Sequence, residues 1–322
     1  MFFEIFMGVL CMTKLKKIII FIFMILLITA TVVSSLVGLF FYNLAINANY
    51  SKDIVYADYN NENLRDDEKW LEEESNYTED YIKSFDNLNL HSYIVNQTYD
   101  TNKWAIVVHG YAGSGMLMSS KAKYFYDMGY NVLIPDLRGH GKSEGEYIGM
   151  GLNDRLDIIS WINFIIKNNS ESEIVLHGTS MGAATVLMAS GENLPSNVKA
   201  IISDCAYTSA WDEFSYELEN YLNVPASYIL NITNLVTKLK AGYSFKEASA
   251  LDAVKKSTVP ILYIHGTSDK FVPYSMMDKL YNATNSPKKK LSVEGAEHGN
   301  SHLIAPYLYW LTINDFLQQY ID

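Results

Sequence analysis

Hydrophobic and polar positions divide the chain into three unequal parts. From Ile18 to Ile46 nearly every residue is apolar, interrupted only by small or weakly polar ones such as Thr29, Thr31, Ser34, Ser35 and Asn43. Residues 47–92 are rich in Asn, Asp, Glu and Tyr and carry the acidic blocks Asp66-Asp67-Glu68 and Glu72-Glu73-Glu74. This part reads as a solvated spacer with lead-in helices, from which Trp70, Leu71, Tyr77 and Tyr81 would lie on the domain. Beyond it, short apolar runs alternate with longer amphipathic stretches. Trp104–Tyr111, Asn131–Asp136, Ile174–His177, Val198–Asp204, Pro260–His265 and Lys290–Val293 have the turn-bounded, β-branched character of buried strands. Met116–Met128 and Asp154–Lys167 read as helices, the second burying Leu156, Ile159, Ile162, Phe164 and Ile166. Such alternation predicts right-handed crossovers and an α/β fold: a mostly parallel central sheet with helices on both faces. Ala206–Ala250 is an insertion between two strands, aromatic through Tyr207, Trp211, Phe214, Tyr216, Tyr221, Tyr228 and Tyr243, and broken by Pro225 into two helical pieces. It reads as a small helical cap over the strand ends, its aromatics serving mainly to pack it down.

The first apolar run exceeds the roughly 20 residues needed to cross a bilayer. Lys14, Lys16 and Lys17 precede it and no positive charge follows until Lys52, so residues 1–17 are expected in the cytoplasm and the rest outside. A cleaved signal peptide, with Ala45-Ile46-Asn47-Ala48 as its cleavage site, is the rival reading. Its apolar core would span only about 7–15 residues, so an uncleaved anchor over 18–46 is preferred. The expected organisation continues with an acidic linker over 47–79 and a single domain over 80–322, with 206–250 as its cap. Met12 offers a second translation start, and Cys11 precedes the apolar run, unlike a lipoprotein acceptor.

Composition narrows the class. Of 322 residues, 49% are hydrophobic and 13% aromatic, which excludes a disordered chain. A net charge of −11 argues against nucleic acid as a partner. The two cysteines, Cys11 and Cys205, rule out a disulfide framework and a cysteine-rich zinc site.

The candidate chemistry centres on Gly178-Thr179-Ser180-Met181-Gly182, a G-x-S-x-G pentapeptide between the strand Ile174–His177 and a small-residue helix beginning at Ala183. An abrupt strand-to-helix turn strains its central residue, and the flanking glycines remove Cβ atoms that would collide. The turn would hold the Ser180 hydroxyl clear of the sheet at a helix N-terminus. In order and spacing, HGYAGS, PDLRGHGKS, GTSMG, HGTSDKFVP and EGAEHGNS resemble an α/β-hydrolase over roughly residues 80–320. More closely, they resemble membrane-anchored bacterial serine hydrolases of the esterase/acyl-aminopeptidase-like branch. No metal or organic cofactor follows from that resemblance.

A serine hydroxyl needs a base within hydrogen-bond reach, itself oriented by an acid. Of seven histidines, His177, His109 and His265 lie in or end strands and read as structural. His140 belongs to a polar turn and His91 to the lead-in, while His302 reads as a first-turn or surface residue. His298, in the loop Gly295-Ala296-Glu297-His298-Gly299, is the expected base, given the family pattern. The acid should lie between Ser180 and His298 in the chain. Asp269 fits best, Asp204 is the fallback, and Asp136 reads as a structural residue of its turn. The fold's oxyanion donor after the nucleophile is the Met181 N–H; the resemblance adds that of Tyr111. Carboxylic-ester hydrolysis is therefore expected, on a small-molecule ester or acyl substrate, with the lipid bilayer as a second partner through the N-terminal helix. A peptidase, amidase or acyltransferase using the same residues, and a silent binding scaffold, are the alternatives.

Overall fold

The computed structural model describes residues 13–52, 69–220 and 226–321. Cys11, Met12, Asp66-Asp67-Glu68, Tyr221 and the break expected at Pro225 lie outside the described residues. Helix α1 (Lys14–Ala45) is one unbroken helix of 32 residues. Among the described residues it alone is long and apolar enough to cross a membrane, and no residue of its most apolar stretch is buried. Thr31, Ser34 and Ser35 each donate to the carbonyl four residues back, so their hydroxyls are satisfied within the helix, as an apolar medium requires.

The last turns of α1 belong to the domain. Gly38 and Tyr42 are buried, and Ile46, just beyond, lies fully inside the core. The apolar run thus does not stay apart from the domain up to Ile46, as its hydropathy suggested. Lys52 Nζ donates to the carbonyls of Asn43, Leu44 and Asn47, satisfying acceptors that a helix end leaves unpaired. Ile46→Ala should cost about 2–5 kcal/mol through lost burial and a residual cavity. Thermal unfolding of the full chain in detergent, with a lowered melting temperature, checks this.

Two strands appear where lead-in helices were expected. β1 (Thr78–Lys83) and β2 (Asn89–Val95) pair antiparallel, and a single helical turn, Trp70–Glu74, stands between the start of this described segment at residue 69 and β1. β2 is buried along nearly its whole length, on both faces. It continues into a sheet formed with β3 (Lys103–Val108), β4 (Asn131–Pro135), β5 (Glu173–Thr179), β6 (Val198–Asp204), β7 (Ile261–Gly266) and β8 (Lys288–Val293). The order is β1-β2-β4-β3-β5-β6-β7-β8, and from β4 to β8 all neighbours are parallel.

Successive strand residues face opposite ways, so a sheet covered twice has two cores. Ile106, Val108 and Leu176 face one, together with Trp161 of α3 (Asp154–Asn168) and Leu187 of α4 (Met181–Ser190). Ala105, Val107 and Val175 face the other, with Phe125 of α2 (Ser119–Asp127) and Tyr309 of the C-terminal helix Pro306–Leu317. On α3 the fully buried side is Ile158, Trp161, Ile162 and Ile165, a helical face offset from the expected one. From β3 the chain moves outward to β4, then returns across β3 to β5. That reversal opens a crevice at the carboxyl ends of β3 and β5, where parallel sheets bind ligands.

The insertion forms two helices, α5 (Ala210–Asn220) and α6 (Ala226–Ala241), packed on each other. Its aromatics do largely structural work. Tyr207 and Tyr243 are buried, and their hydroxyls donate to the Met150 and Ile148 carbonyls. α6 runs beside the end of α1.

Candidate active site

Between the last residue of β5 and the first of α4 stands Ser180 alone, with φ 56° and ψ −118°. A residue with a Cβ pays about 1–3 kcal/mol for such a conformation and keeps it only where the surroundings enforce it. Here they do. The Ser180 N–H donates to the Asp204 carbonyl at 2.8 Å, and its own carbonyl accepts from Ala184 N–H at 2.9 Å. A Cβ on Gly178 would lie 2.2 Å from the Gly182 carbonyl oxygen, and one on Gly182 2.3 Å from that of Val108. Strand, helix and neighbouring strand thus approach too closely for any side chain at these two positions.

The Ser180 Oγ lies 2.8 Å from His298 Nε2, and His298 Nδ1 lies 2.8 Å from Asp269 Oδ2. With Asp269 ionised, Nδ1–H donates to the carboxylate and Nε2 is left to accept from the hydroxyl. Asp269 Oδ1 accepts from the N–H groups of Phe271 and Val272, both at 2.9 Å. His265 Nε2–H donates to the Val272 carbonyl at 2.9 Å and sits 3.1 Å from Asp269 Oδ2. The structure therefore brings Ser180, His298 and Asp269 together from three separate loops, at the carboxyl ends of β5, β7 and β8.

The loop after β3 borders the same point. A Cβ on Gly110 would lie 3.8 Å from the Ser180 Oγ, so the residue that follows, Tyr111, is placed beside the Ser180 turn. Two histidines fix this loop. His109 Nδ1–H donates to the Gly110 carbonyl while its Nε2 accepts from Leu137 N–H. His140 Nε2 accepts from Ala112 N–H, and its Nδ1–H donates to the Arg138 carbonyl. The Tyr111 hydroxyl reaches away from the site to the Ala45 carbonyl at the end of α1, 2.8 Å distant. Met181 is the first residue of α4 and is fully buried.

Comparison with known proteins agrees with this architecture. A family model described as the α/β-hydrolase fold matches residues 104–228. The chain is 28% identical over 269 residues to YqkD, an uncharacterized protein of Bacillus subtilis, covering 80% of this chain and 88% of that one. It superposes on the Pyrococcus furiosus esterase Pf2001 with a TM-score of 0.63 at 22% identity, covering 79% of this chain and 96% of the esterase. The acylaminoacyl peptidase of Pyrococcus horikoshii gives a TM-score of 0.55 at 18% identity, covering 74% of this chain and 41% of the peptidase. The chain has the α/β-hydrolase fold.

Within that hydrolase fold the electrostatics follow from the contacts. Burial would raise the Asp269 carboxyl, but hydrogen bonds from His265 and His298 outweigh it and hold it at about 2. Asp204, the alternative acid, does not approach His298. Its Oδ2 accepts from Lys121 Nζ at 3.2 Å and from the Tyr309 hydroxyl at 2.9 Å. Tyr309 also lies 3.0 Å from His177 Nε2, so these groups form one buried polar network. Asp136 does brace its turn, accepting from Gly115 N–H, Lys142 N–H and His91 Nδ1–H. His91 is buried in β2, a strand and not a lead-in helix, while His302 stands in the first turn of the helix Ser301–Ile304, buried and not at the surface, where burial pushes its imidazole down to about 2. Among the described residues, Cys205, Asp269 and His298 could bring donors within 4.8 Å of one another for a metal. Burial raises the Cys205 thiol, however, and the other two donors are spent on each other.

Sequence reasoning passed over two carboxylates on α5. Both oxygens of Glu213 and Oε1 of Glu217 are buried with no hydrogen-bond partner. Glu213 is raised well above the usual carboxylate range by burial and then by Glu217 and Asp269; Glu217 is raised to about 8 by burial and by Asp269. A raised folded-state value means the folded chain holds protons that the unfolded chain has released. Their penalty is absent below the ordinary carboxylate value and grows as pH rises from there, for Glu217 until about 8. Glu213→Gln with Glu217→Gln should therefore leave the melting temperature little changed at acidic pH and raise it increasingly up to that point. A pH series of thermal unfolding curves checks this.

Proposed function

We propose that the protein is a membrane-anchored serine hydrolase that cleaves carboxylic esters through an acyl-enzyme. The observation carrying this reading is the continuous hydrogen-bond chain from the Ser180 hydroxyl through His298 to Asp269. Ser180 attacks the acyl carbonyl carbon while His298 Nε2 takes its proton, and Asp269 stabilises the imidazolium that results. The negative charge on the carbonyl oxygen is met by the Met181 and Tyr111 N–H groups, each worth about 3 kcal/mol in sites of this kind. Imidazolium then protonates the departing alcohol. Water enters, loses a proton to His298, and releases the carboxylic acid from Ser180. The name of the Pyrococcus furiosus esterase, whose fold this chain shares over most of its length, is what tips the leaving group toward an alcohol rather than an amine.

In this reading residues 1–17 are cytoplasmic, the exposed part of α1 crosses the membrane, and the hydrolase domain lies outside with 206–250 as its cap. Lys14, Lys16 and Lys17 in the first turn of α1, and the absence of positive charge after the helix until Lys52, support that orientation. The test is turnover of p-nitrophenyl esters of short and long acyl chains by the full chain in detergent, with fluorophosphonate labelling and mapping of the labelled peptide. Turnover together with label on Ser180 is the expected result. A folded protein that takes no label at Ser180 would sink the reading in favour of a binding scaffold.

A further inference from the structure

We infer that α6 is a second membrane-contacting element, inserted in the outer interface of the bilayer alongside the anchor. The inference rests on the anchor reading of α1 and goes beyond it by giving the domain itself a lipid-facing surface.

The two helices are joined in parallel along three levels. At the first, the Tyr228 hydroxyl lies 2.6 Å from Ser34 Oγ, which itself donates to the Ala30 carbonyl and therefore accepts from the tyrosine. At the second, Gly38 meets Ile232 and Val236 so closely that a Cβ there would lie 2.5 Å from Ile232 Cγ2. At the third, Lys240 Nζ lies over the Tyr42 ring at 5.6 Å. The depth of α6 is thus fixed by the depth of α1.

That depth follows from length. The hydrocarbon layer is about 30 Å thick and takes about 20 helical residues. Counted from Ile18, the first residue after the lysines, it ends near Val37. Ser34 then lies about 5 Å inside the outer boundary, and the first turn of α6 lies beside it. The surface chemistry of α6 agrees. Tyr228, Leu235 and Leu239 are 56%, 59% and 79% exposed, large apolar or amphipathic groups at spacings that share one helix face. The helix contains no acidic residue, and its only charges, Lys238 and Lys240, stand in the last turn at the watery end, where lysines reach phosphate groups. An amphipathic helix lying in the interface has this pattern, and here the anchor holds it there.

The experiment uses the full chain in lipid nanodiscs, with Cys11→Ser, the buried Cys205 retained, and one added cysteine carrying bimane at Tyr228, Leu235, Ile25 or Tyr99. Acyl chains spin-labelled near the headgroup are the quencher. Ile25 is an exposed position of α1; Tyr99 is an exposed aromatic in the loop before β3, at the amino ends of the parallel strands. Circular dichroism confirms that each variant is folded. The expected result is quenching at Tyr228 comparable with Ile25, weaker quenching at Leu235, and none at Tyr99. Quenching at Ile25 with Tyr228 and Leu235 behaving like Tyr99 would overturn the inference and leave the anchor reading standing. No quenching at Ile25 would remove both.

Discussion

Ser180→Ala in the full chain should lower kcat for a p-nitrophenyl ester by roughly a millionfold, the loss typical when a nucleophile acting in a unit is removed. The substitution deletes one oxygen at a site where the backbone is already fixed by Asp204 and Ala184. Alanine inherits the strained φ of 56° without the hydroxyl that gives the strain a use. The fold should therefore survive, and the melting temperature should change far less than the rate. Binding of the ester is unaffected in kind, so KM should stay near the wild-type value while kcat collapses. Initial rates across substrate concentrations separate the two. A variant within tenfold of wild type would show that Ser180 is not the attacking group.

How much of this was legible in the chain depends on the kind of signal. The parallel strands read clearly because each is a continuous apolar run bounded by turns, as burial on both faces demands. The strand at Asn89–Val95 was hidden because His91 and Ser92 interrupt it. Its polar groups are satisfied by partners far along the chain, Asp136 for the His91 ring and Ser143 for its backbone N–H, which no local pattern reveals. The buried side of α3 was misplaced for a related reason. The helix is apolar on more than one face, and which face sinks is chosen by the sheet beneath it. At the site, the serine turn was legible because backbone geometry forces glycine at two fixed offsets. His265 was not, since its bond to Asp269 exists only after β7 and its following turn fold over each other. Glu213 and Glu217 were illegible for the opposite reason: a carboxylate on a helix ordinarily faces water, and only the packed insertion buries these two.

Asp269→Asn should cost about ten-thousandfold in kcat, and the reason lies in the count of donors around the carboxylate. Asp269 receives N–H groups from Phe271, Val272 and His298, with His265 Nε2–H also in reach. An asparagine can satisfy the two backbone donors with its oxygen, but its NH₂ then faces two ring nitrogens that also carry protons. His298 is driven to the other tautomer, with Nδ1 accepting from the amide and Nε2–H pointing at Ser180. In that state the imidazole cannot take the serine proton, although every heavy atom stands where it stood. The same variant carries a stability signature. With the carboxyl held at about 2, against roughly 3.9 when unfolded, its contribution to stability is complete above the unfolded value and is lost as pH falls toward 2. The melting temperature of the wild type should thus exceed that of the variant most at neutral pH, and the gap should narrow in acid. Asp204→Asn provides the contrast. Asp204 is bonded to Lys121 and Tyr309, not to His298, so it should lower stability without the tautomer-driven loss of rate. Parallel kcat and melting measurements on the two variants therefore distinguish an acid that orients the base from one that braces the core.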